Sequence, residues 1–494
     1  SIILVYLRKK NILELNVQKT FLLLLLIFVI RVISILNSPL GLSVDEAQYW
    51  DWSNNLEFGY FSKPPFIAWL IASTTYFFGI EEWSVRLSSP ILHLMTTLTI
   101  WLITKNIYNE KIANFIALTW STIPLISFGS LIISTDTPLL LFWSLSILAL
   151  LKTLESNKVI WPILLGMTIG LGFLTKYAAL YFIIILFFLI LFNQRFKKNI
   201  SKFIVSIFVF LIICSPNLYW NYVNDLSTFN HTAYNANLNS ISFNYIEVIK
   251  FVTSQLIVCG LFFLIAYVLK VINIKSHNKN EFLLICFSLP ILIAIIIQSF
   301  LKTSNANWAA TAYPGIIILI GSFIYKKENK FILTLIKLNI MINFLIFLFL
   351  TKVFTIGNFY PIELKSDPLI KLKGYPELSK NINSLIKKEN PIAILFTRRN
   401  DITKFSYYLT INNNKIKRYF LSSRKSPINH YEYFYNFREH SLKKENVVFI
   451  VTSDKEIDSN FLHYFHTLNL LKQINHKINN STKTSYYILK GIIN

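Results

Sequence analysis

The sequence predicts a mainly α-helical, polytopic membrane protein that ends in a small α/β domain. Three observations carry this. Apolar runs of about 16–22 residues recur through the first 350 positions, the length that crosses a bilayer. Hydrophobic residues make up 54% of the 494, and mean hydropathy is +0.49. Between the runs, Lys and Arg concentrate in alternate loops, as the positive-inside rule requires.

The first run, 21–36, follows Arg8, Lys9, Lys10 and Lys19, which places the N-terminus in the cytoplasm. It has no small-residue cleavage site, so it reads as a span and not as a removable signal peptide. Further spans are expected near 84–104, 112–130, 137–151, 160–175, 177–193, 203–221, 247–269, 282–300, 309–325 and 331–351. Eleven spans put the two termini on opposite sides. One apolar segment stays outside this count. Pro64–Gly79 is short, opens with Pro-Pro, and reads as an interfacial helix with Trp69, Tyr76 and Phe77 at headgroup level.

The transmembrane domain is expected over 1–352, with its first outer loop at 37–83, and a soluble extracytoplasmic domain over 353–494. In the latter, apolar runs shorten to strand length at 392–397, 447–452 and 485–491, with helical stretches expected at Asp401–Leu409 and Phe461–Ile474. The net charge of +23 is mostly accounted for by the cytoplasmic loops, which argues against nucleic acid as a partner. Cys214, Cys259 and Cys286 all lie in apolar spans, so neither a disulfide framework nor a zinc cluster is indicated.

Lys63, Lys176 and Lys302 fall in loops that should face away from the cytoplasm. A cation placed against the topological bias suggests an anionic ligand. The first outer loop adds Asp45, Glu46, Asp51 and Glu57 among Tyr49, Trp50, Trp52 and Tyr60. Carboxylates beside flat aromatic faces suit a sugar, which offers hydroxyls to one and C–H faces to the other.

The order of residues resembles a family. Asp45-Glu46-Ala47 followed by Gly59-Tyr60-Phe61-Ser62-Lys63-Pro64-Pro65 is similar to the first-loop signature of membrane glycosyltransferases related to protein O-mannosyltransferases and lipid A aminoarabinose transferase. Glu82–Leu87, Ser134–Leu139, Gly170–Tyr177, Asn305–Trp308 with Ala312-Tyr313-Pro314, and the tail's Asp367-Pro368 and Lys373-Gly374-Tyr375 resemble it in the same order. The resemblance implies the GT-C fold and transfer of a sugar from a polyprenyl-phosphate carrier with inversion at the anomeric carbon. It implies Asp45 as general base on an acceptor hydroxyl, with Glu46 and Asp136 as further acidic residues of the site. Lys63, Arg86 and Lys176, and then Lys302, become the cations for the leaving phosphate. Tyr49, Tyr60, Tyr177, His231, Asn307 and Trp308 would line the substrate cavity. Simpler readings exist for several: Asp136 as a helix N-cap, Arg86 paired with Glu81 or Glu82, and Lys176 snorkelling from a helix end.

One departure stands out. Where the aminoarabinose branch has a glutamate that contributes to a metal site, this chain has Ser62 before Lys63-Pro64-Pro65. No cofactor is therefore expected, and a divalent metal is not indicated. The expected partners are a polyprenyl-phosphate sugar donor, a lipid or glycolipid acceptor such as lipid A, and the bilayer. A protein acceptor, or transport of a lipid-linked sugar, is the alternative. The implied location is a bacterial inner membrane.

Overall fold

The computed structural model describes residues 16–493 except 237–243, 274–277, 327–329, 360–366, 412–415, 423, 425, 438–441, 443–445, 454–458 and 478–482. Arg8, Lys9, Lys10, Lys275 and Lys327, which bear on the expected orientation, lie outside the described residues.

Among the described residues, eight helices are long and apolar enough to cross a membrane, and each coincides with an expected span. They include Val17–Leu36, Asp136–Glu155, Ile200–Val223, Ala306–Tyr325 and Lys330–Ile356. The other three expected spans are built from shorter pieces. The 112–130 stretch breaks into Glu110–Thr122 and Pro124–Gly129, because Pro124 cannot donate to the preceding turn and starts a new helix instead. The other two are Ile160–Phe173 and the stretch Tyr177–Phe192. A 14-residue helix is about 21 Å long, short of the roughly 30 Å hydrocarbon core. The main core gathers around Ala306–Tyr325, which is 89% buried and packs on Glu110–Thr122 and Lys279–Cys286. The helices at the rim present Leu, Ile and Phe outward, as lipid-facing helices do.

Pro64–Gly79 forms the helix Phe66–Phe78, 13 residues between Pro65 and Gly79, whose φ of +83° ends it. Tyr76 and Phe77 are exposed at its far end. The half-exposed Trp69 donates its indole N–H to Glu57 O at 3.0 Å, which ties this helix to the first loop.

Among the described residues, all five strands lie in the tail. The sheet order is β2-β1-β3-β5-β4, with β1 (Ala393–Phe396), β2 (Lys417–Phe420) and β3 (Val447–Thr452) parallel, and β5 (Lys483–Ile493) and β4 (Phe465–Lys477) antiparallel. β1 is buried at every position, as expected of a strand covered on both faces. Phe461–Ile474 corrects the sequence reading. Only a short 3₁₀ turn at Ser459–Tyr464 precedes β4, which pairs with β5 from Phe465 to Lys477. Its leucines suggested helix by local propensity, but pairing with a distant strand overrides propensity.

The tail docks on the first long loop, 37–83, through the helix Arg399–Ile411. Tyr407 stacks edge-on against Trp50 at 4.9 Å and donates to Ile80 O at 2.6 Å. The Leu42 N–H donates to the Tyr408 hydroxyl at 2.9 Å. Gly41 makes this approach possible, because a Cβ there would overlap the Tyr408 hydroxyl.

Candidate functional site

A helix, Val44–Ser53, organises the first long loop. Ser43 and Glu46 close a capping box on it: the Glu46 N–H donates to Ser43 Oγ at 3.2 Å and the Ser43 N–H to Glu46 Oε2 at 2.8 Å. Asp45 therefore lies in the first turn, and Gln48 and Tyr49 share its face three and four residues on.

Glu46 corrects a sequence expectation, and Arg86 with it. The Arg86 guanidinium is fully buried and forms a two-pronged ion pair with Glu46 at 2.8 and 3.0 Å. Its remaining contacts go to Leu40 O at 2.9 Å and Gly41 O at 2.7 Å, and it lies 5.1 Å over the Phe354 ring. Burial pushes the Glu46 carboxyl up, but Arg86 and the N–H groups of Ser43 and Ile133 outweigh it and hold the carboxyl below its ordinary value. With their polar atoms spent on each other, Glu46 and Arg86 form a strut under the loop and do not line an anion site.

Two long-range hydrogen bonds and one local turn bring the loop segments together near that strut. The Ile133 N–H donates to Glu46 Oε1 at 3.1 Å, which fixes the approach to Asp136. The Phe66 N–H donates to Leu174 O at 2.9 Å, and the Tyr60 N–H to Lys63 O at 3.0 Å. Lys63 stands three residues before Phe66, and Lys176 two after Leu174, so the two lysines are carried toward one another.

Lys176 Nζ lies 2.7 Å from Asp136 Oδ1, and the Asn307 amide donates to Asp136 Oδ2. The first residue of the helix Asp136–Glu155 is Asp136 and its cap is Thr135, so Asp136 is not the N-cap; its two oxygens serve Lys176 and Asn307. The half-buried Lys63 ammonium is within electrostatic range of Lys176, Asp136, Asp45 and Arg399. Burial and then Lys176 lower its pKa, against the pull of Asp136 and Asp45. Asp45, Lys63, Asp136, Lys176 and Asn307 thus form one cluster, and Asp45 is its most open carboxylate, 64% exposed against 12% for Asp136.

The remaining sequence candidates divide. Tyr49 is buried within range of Asp45 and Asp136. Lys302 Nζ donates to Tyr234 O at 3.2 Å and sits 4.8 Å over the Tyr234 ring. His231 feels Lys63, Arg399 and Lys302, and burial together with these cations lowers its pKa to about 4. Tyr60 and Tyr177 are tied into the surrounding protein. Tyr60 stacks on Trp52 at 4.6 Å and donates to Trp52 O and Asn55 O, both at 3.0 Å. Tyr177 stacks on Phe229 at 4.7 Å and bonds Asn217 and Asn221. A buried phenol must find its partner nearby, and these two find it in the scaffold. Trp308 packs half-buried on the main core.

Sequence reasoning missed Arg399. It comes from the tail, 354 positions from Asp45, and its Nη2 lies 2.7 Å from Asp45 Oδ1. Nε donates to Gln48 Oε1 at 2.8 Å, and Nη2 contacts the same oxygen. The one local signal was a pair of arginines, Arg398-Arg399, opening an apolar-periodic stretch. Among the described residues, no group of three or more His, Cys, Asp or Glu is arranged to hold a metal.

Residues 62–220 match the dolichyl-phosphate-mannose-protein mannosyltransferase family, about a third of the chain. A lipid A galacturonosyltransferase of Rhizobium johnstonii is 29% identical over 397 residues, 79% of this chain and 82% of its own length. An undecaprenyl phosphate-alpha-4-amino-4-deoxy-L-arabinose arabinosyl transferase of Pseudomonas aeruginosa is 27% identical over 175 residues, 34% of this chain and 32% of its own. ArnT from Cupriavidus metallidurans, solved bound to undecaprenyl phosphate, superposes with a TM-score of 0.66 at 14% identity, over 96% of this chain and 98% of that one. The chain therefore has the GT-C fold. The resemblance to polyprenyl-phosphate-sugar-dependent membrane glycosyltransferases holds in motif, in relatives and in fold.

Proposed function

We propose that this multi-pass membrane protein is an inverting glycosyltransferase that moves a sugar from a polyprenyl-phosphate carrier to an extracytoplasmic glycolipid, lipid A or a close relative of it. The observation that carries the reading is the cluster itself. Two lysines from loops more than 100 positions apart meet beside an open carboxylate, at the face where the first loop, the Asp136 turn and the tail come together. The named relatives, a lipid A galacturonosyltransferase and an aminoarabinose transferase, favour a lipid A-type acceptor.

In the proposed reaction the acceptor hydroxyl attacks the anomeric carbon, and its proton passes to Asp45. The carbon–oxygen bond to the carrier phosphate breaks, and the electron pair stays with the phosphate. Lys63 and Lys176 face the negative charge that grows there, and Asp136 with Asn307 fixes the direction of Lys176. Asp136 is a weaker candidate for the base because both its oxygens are occupied. The cations of this scheme are side chains, so the reaction asks for no metal. We place the cluster outside the cytoplasm, in a bacterial inner membrane, because the loop charges favour that orientation.

Mass spectrometry of lipid A from a deletion strain tests the reading, with complementation by wild type and by Asp45→Asn. Loss of one sugar residue from lipid A, restored by wild type but not by Asp45→Asn, is the expected result. Unchanged lipid A would sink the acceptor assignment, and restoration by Asp45→Asn would remove Asp45 as base. The donor sugar is not chosen by spacing or by fold. We favour a hexuronate because the relative aligned over most of the chain is a galacturonosyltransferase.

A further inference from the structure

A cation on the first turn of a helix opposes the helix dipole, which favours negative charge at that end. Arg399 opens the helix Arg399–Ile411 nonetheless, and its fork points out of the tail onto the membrane domain's first-loop helix. A local rule broken without a structural return usually marks function. Part of the structural return is Gln48, a buried amide whose oxygen the guanidinium satisfies, but the Asp45 contact returns little, since that pair is partly exposed on both sides, at 37% and 64%, and such pairs add little to stability. Docking of the tail is already secured by Tyr407, Tyr408 and Tyr431, the last donating to Asp51 at 2.9 Å. Arg399 also lies within electrostatic range of Lys63 and His231, at the centre of the cluster.

The pair has a chemical consequence. A carboxylate oxygen that already accepts a charge-assisted hydrogen bond has that lone pair occupied. With Oδ1 held by Arg399, Asp45 offers Oδ2 alone as a fully open proton acceptor. An arginine fork matches two oxygens of a phosphate or a carboxylate as well as it matches Asp45.

We infer that Arg399, supplied by the soluble domain, is a donor-binding residue that exchanges Asp45 for an oxyanion of the donor, so that donor binding frees the base. The inference rests on the function proposed above and extends it. The tail becomes part of the active site: without its guanidinium the transmembrane domain holds Lys63 and Lys176 but lacks the group that couples donor occupancy to Asp45. No bond is made or broken in the exchange. One ion pair replaces another, and Gln48 holds Nε through it because that contact does not involve Asp45. Two oxyanions have the right chemistry, the carrier phosphate and a carboxylate on the sugar.

The test uses the purified full chain with Arg399→Met and Arg399→Lys, and with Lys388→Gln as a control that removes one exposed charge elsewhere in the tail. Three probes separate the sources: polyprenyl phosphate alone, a polyprenyl-phosphate neutral hexose, and the matching hexuronate. If the phosphate is the partner, Arg399→Met binds all three roughly ten- to a hundredfold more weakly. If the sugar carboxylate is the partner, the loss is confined to the hexuronate. In either case donor KM rises while kcat at saturating donor holds or rises, and Arg399→Lys recovers part of the affinity. Unchanged binding of every probe would overturn the inference, as would a fall in kcat at constant KM. Binding of polyprenyl phosphate is read without turnover, so a wild-type enzyme that transfers no sugar would count against the proposed function and leave the Arg399 result to be judged separately.

Discussion

Arg86 and Glu46 offer a sharp separation of scaffold from substrate binding. Removing the Arg86 charge with Arg86→Met leaves the fully buried Glu46 carboxylate without its partner and strands the carbonyls of Leu40 and Gly41. Breaking one side of a buried ion pair costs roughly 3–5 kcal/mol. Against a net stability on the order of 5–15 kcal/mol for a folded domain, that is roughly a fifth or more. The single variant should therefore lose much of its folded yield and thermal stability in detergent, and activity will fall with them. Pairing it with Glu46→Gln removes the stranded charge, keeps an acceptor for the Ser43 or Ile133 N–H, and adds an amide that can donate to the Leu40 or Gly41 carbonyl. The double variant should recover to within about 2 kcal/mol of wild type, since replacing both members of a buried pair is often close to neutral. Size-exclusion thermal stability and steady-state transfer, measured on the same preparations, follow the two effects. Near-normal kcat and donor KM in the folded double variant are expected. A double variant that folds as well as wild type but binds donor tenfold more weakly would refute the strut and return Arg86 to the phosphate.

Other outcomes are equally specific. The Lys63 charge is present below its lowered pKa and lost as pH rises through it, so donor KM should climb at an alkaline pH where an ordinary lysine, near 10.5, is still charged; Lys63→Arg should move that limb upward, and a flat KM through the range would exclude the ammonium. His231, with a pKa of about 4, is neutral at pH 7, so His231→Gln should keep transfer within a few-fold and the rate should show no inflection near 6.5 that vanishes in the variant. Gly59→Ala places a Cβ into the Trp220 indole and should cost about 1–3 kcal/mol of stability while raising donor KM, because the turn it distorts carries Lys63. Unaltered KM and thermal stability would mean that this turn has slack.

Much of the fold was legible because hydrophobic length and loop charge are local signals. Lys63, Lys176 and Asp136 were legible for a related reason: charged residues in apolar or outward-facing sequence need a partner, and they provide it for each other. What escaped was long-range pairing. The capping-box spacing Ser43-x-x-Glu46 was visible in the sequence, but nothing local says that the same glutamate also takes a buried arginine forty residues on. β4 read as helix because its leucines favour helix locally, and only the pairing with β5 overrides them. Tyr60 and Tyr177 were expected to line the substrate cavity, and a tyrosine that fills scaffold is identical in sequence to one that meets a ligand. Arg399 was hidden by treating the tail as a separate body, and only the docking of Tyr407 and Tyr408 on the first loop reveals it as a neighbour of Asp45.

The convergence of Lys63 and Lys176 on one phosphate is tested most directly by a double-mutant binding cycle. Affinity for polyprenyl phosphate would be measured for wild type, Lys63→Met, Lys176→Met and the double variant, in detergent at low salt. Methionine keeps most of each apolar stem and removes the charge. If both ammoniums hold the same phosphate, each single variant loses roughly tenfold or more, and the losses fail to add by about 0.5–3 kcal/mol, as expected for residues sharing one ligand. Strictly additive losses would place the lysines at separate sites. Unchanged affinity in either single variant would remove that lysine from the phosphate altogether.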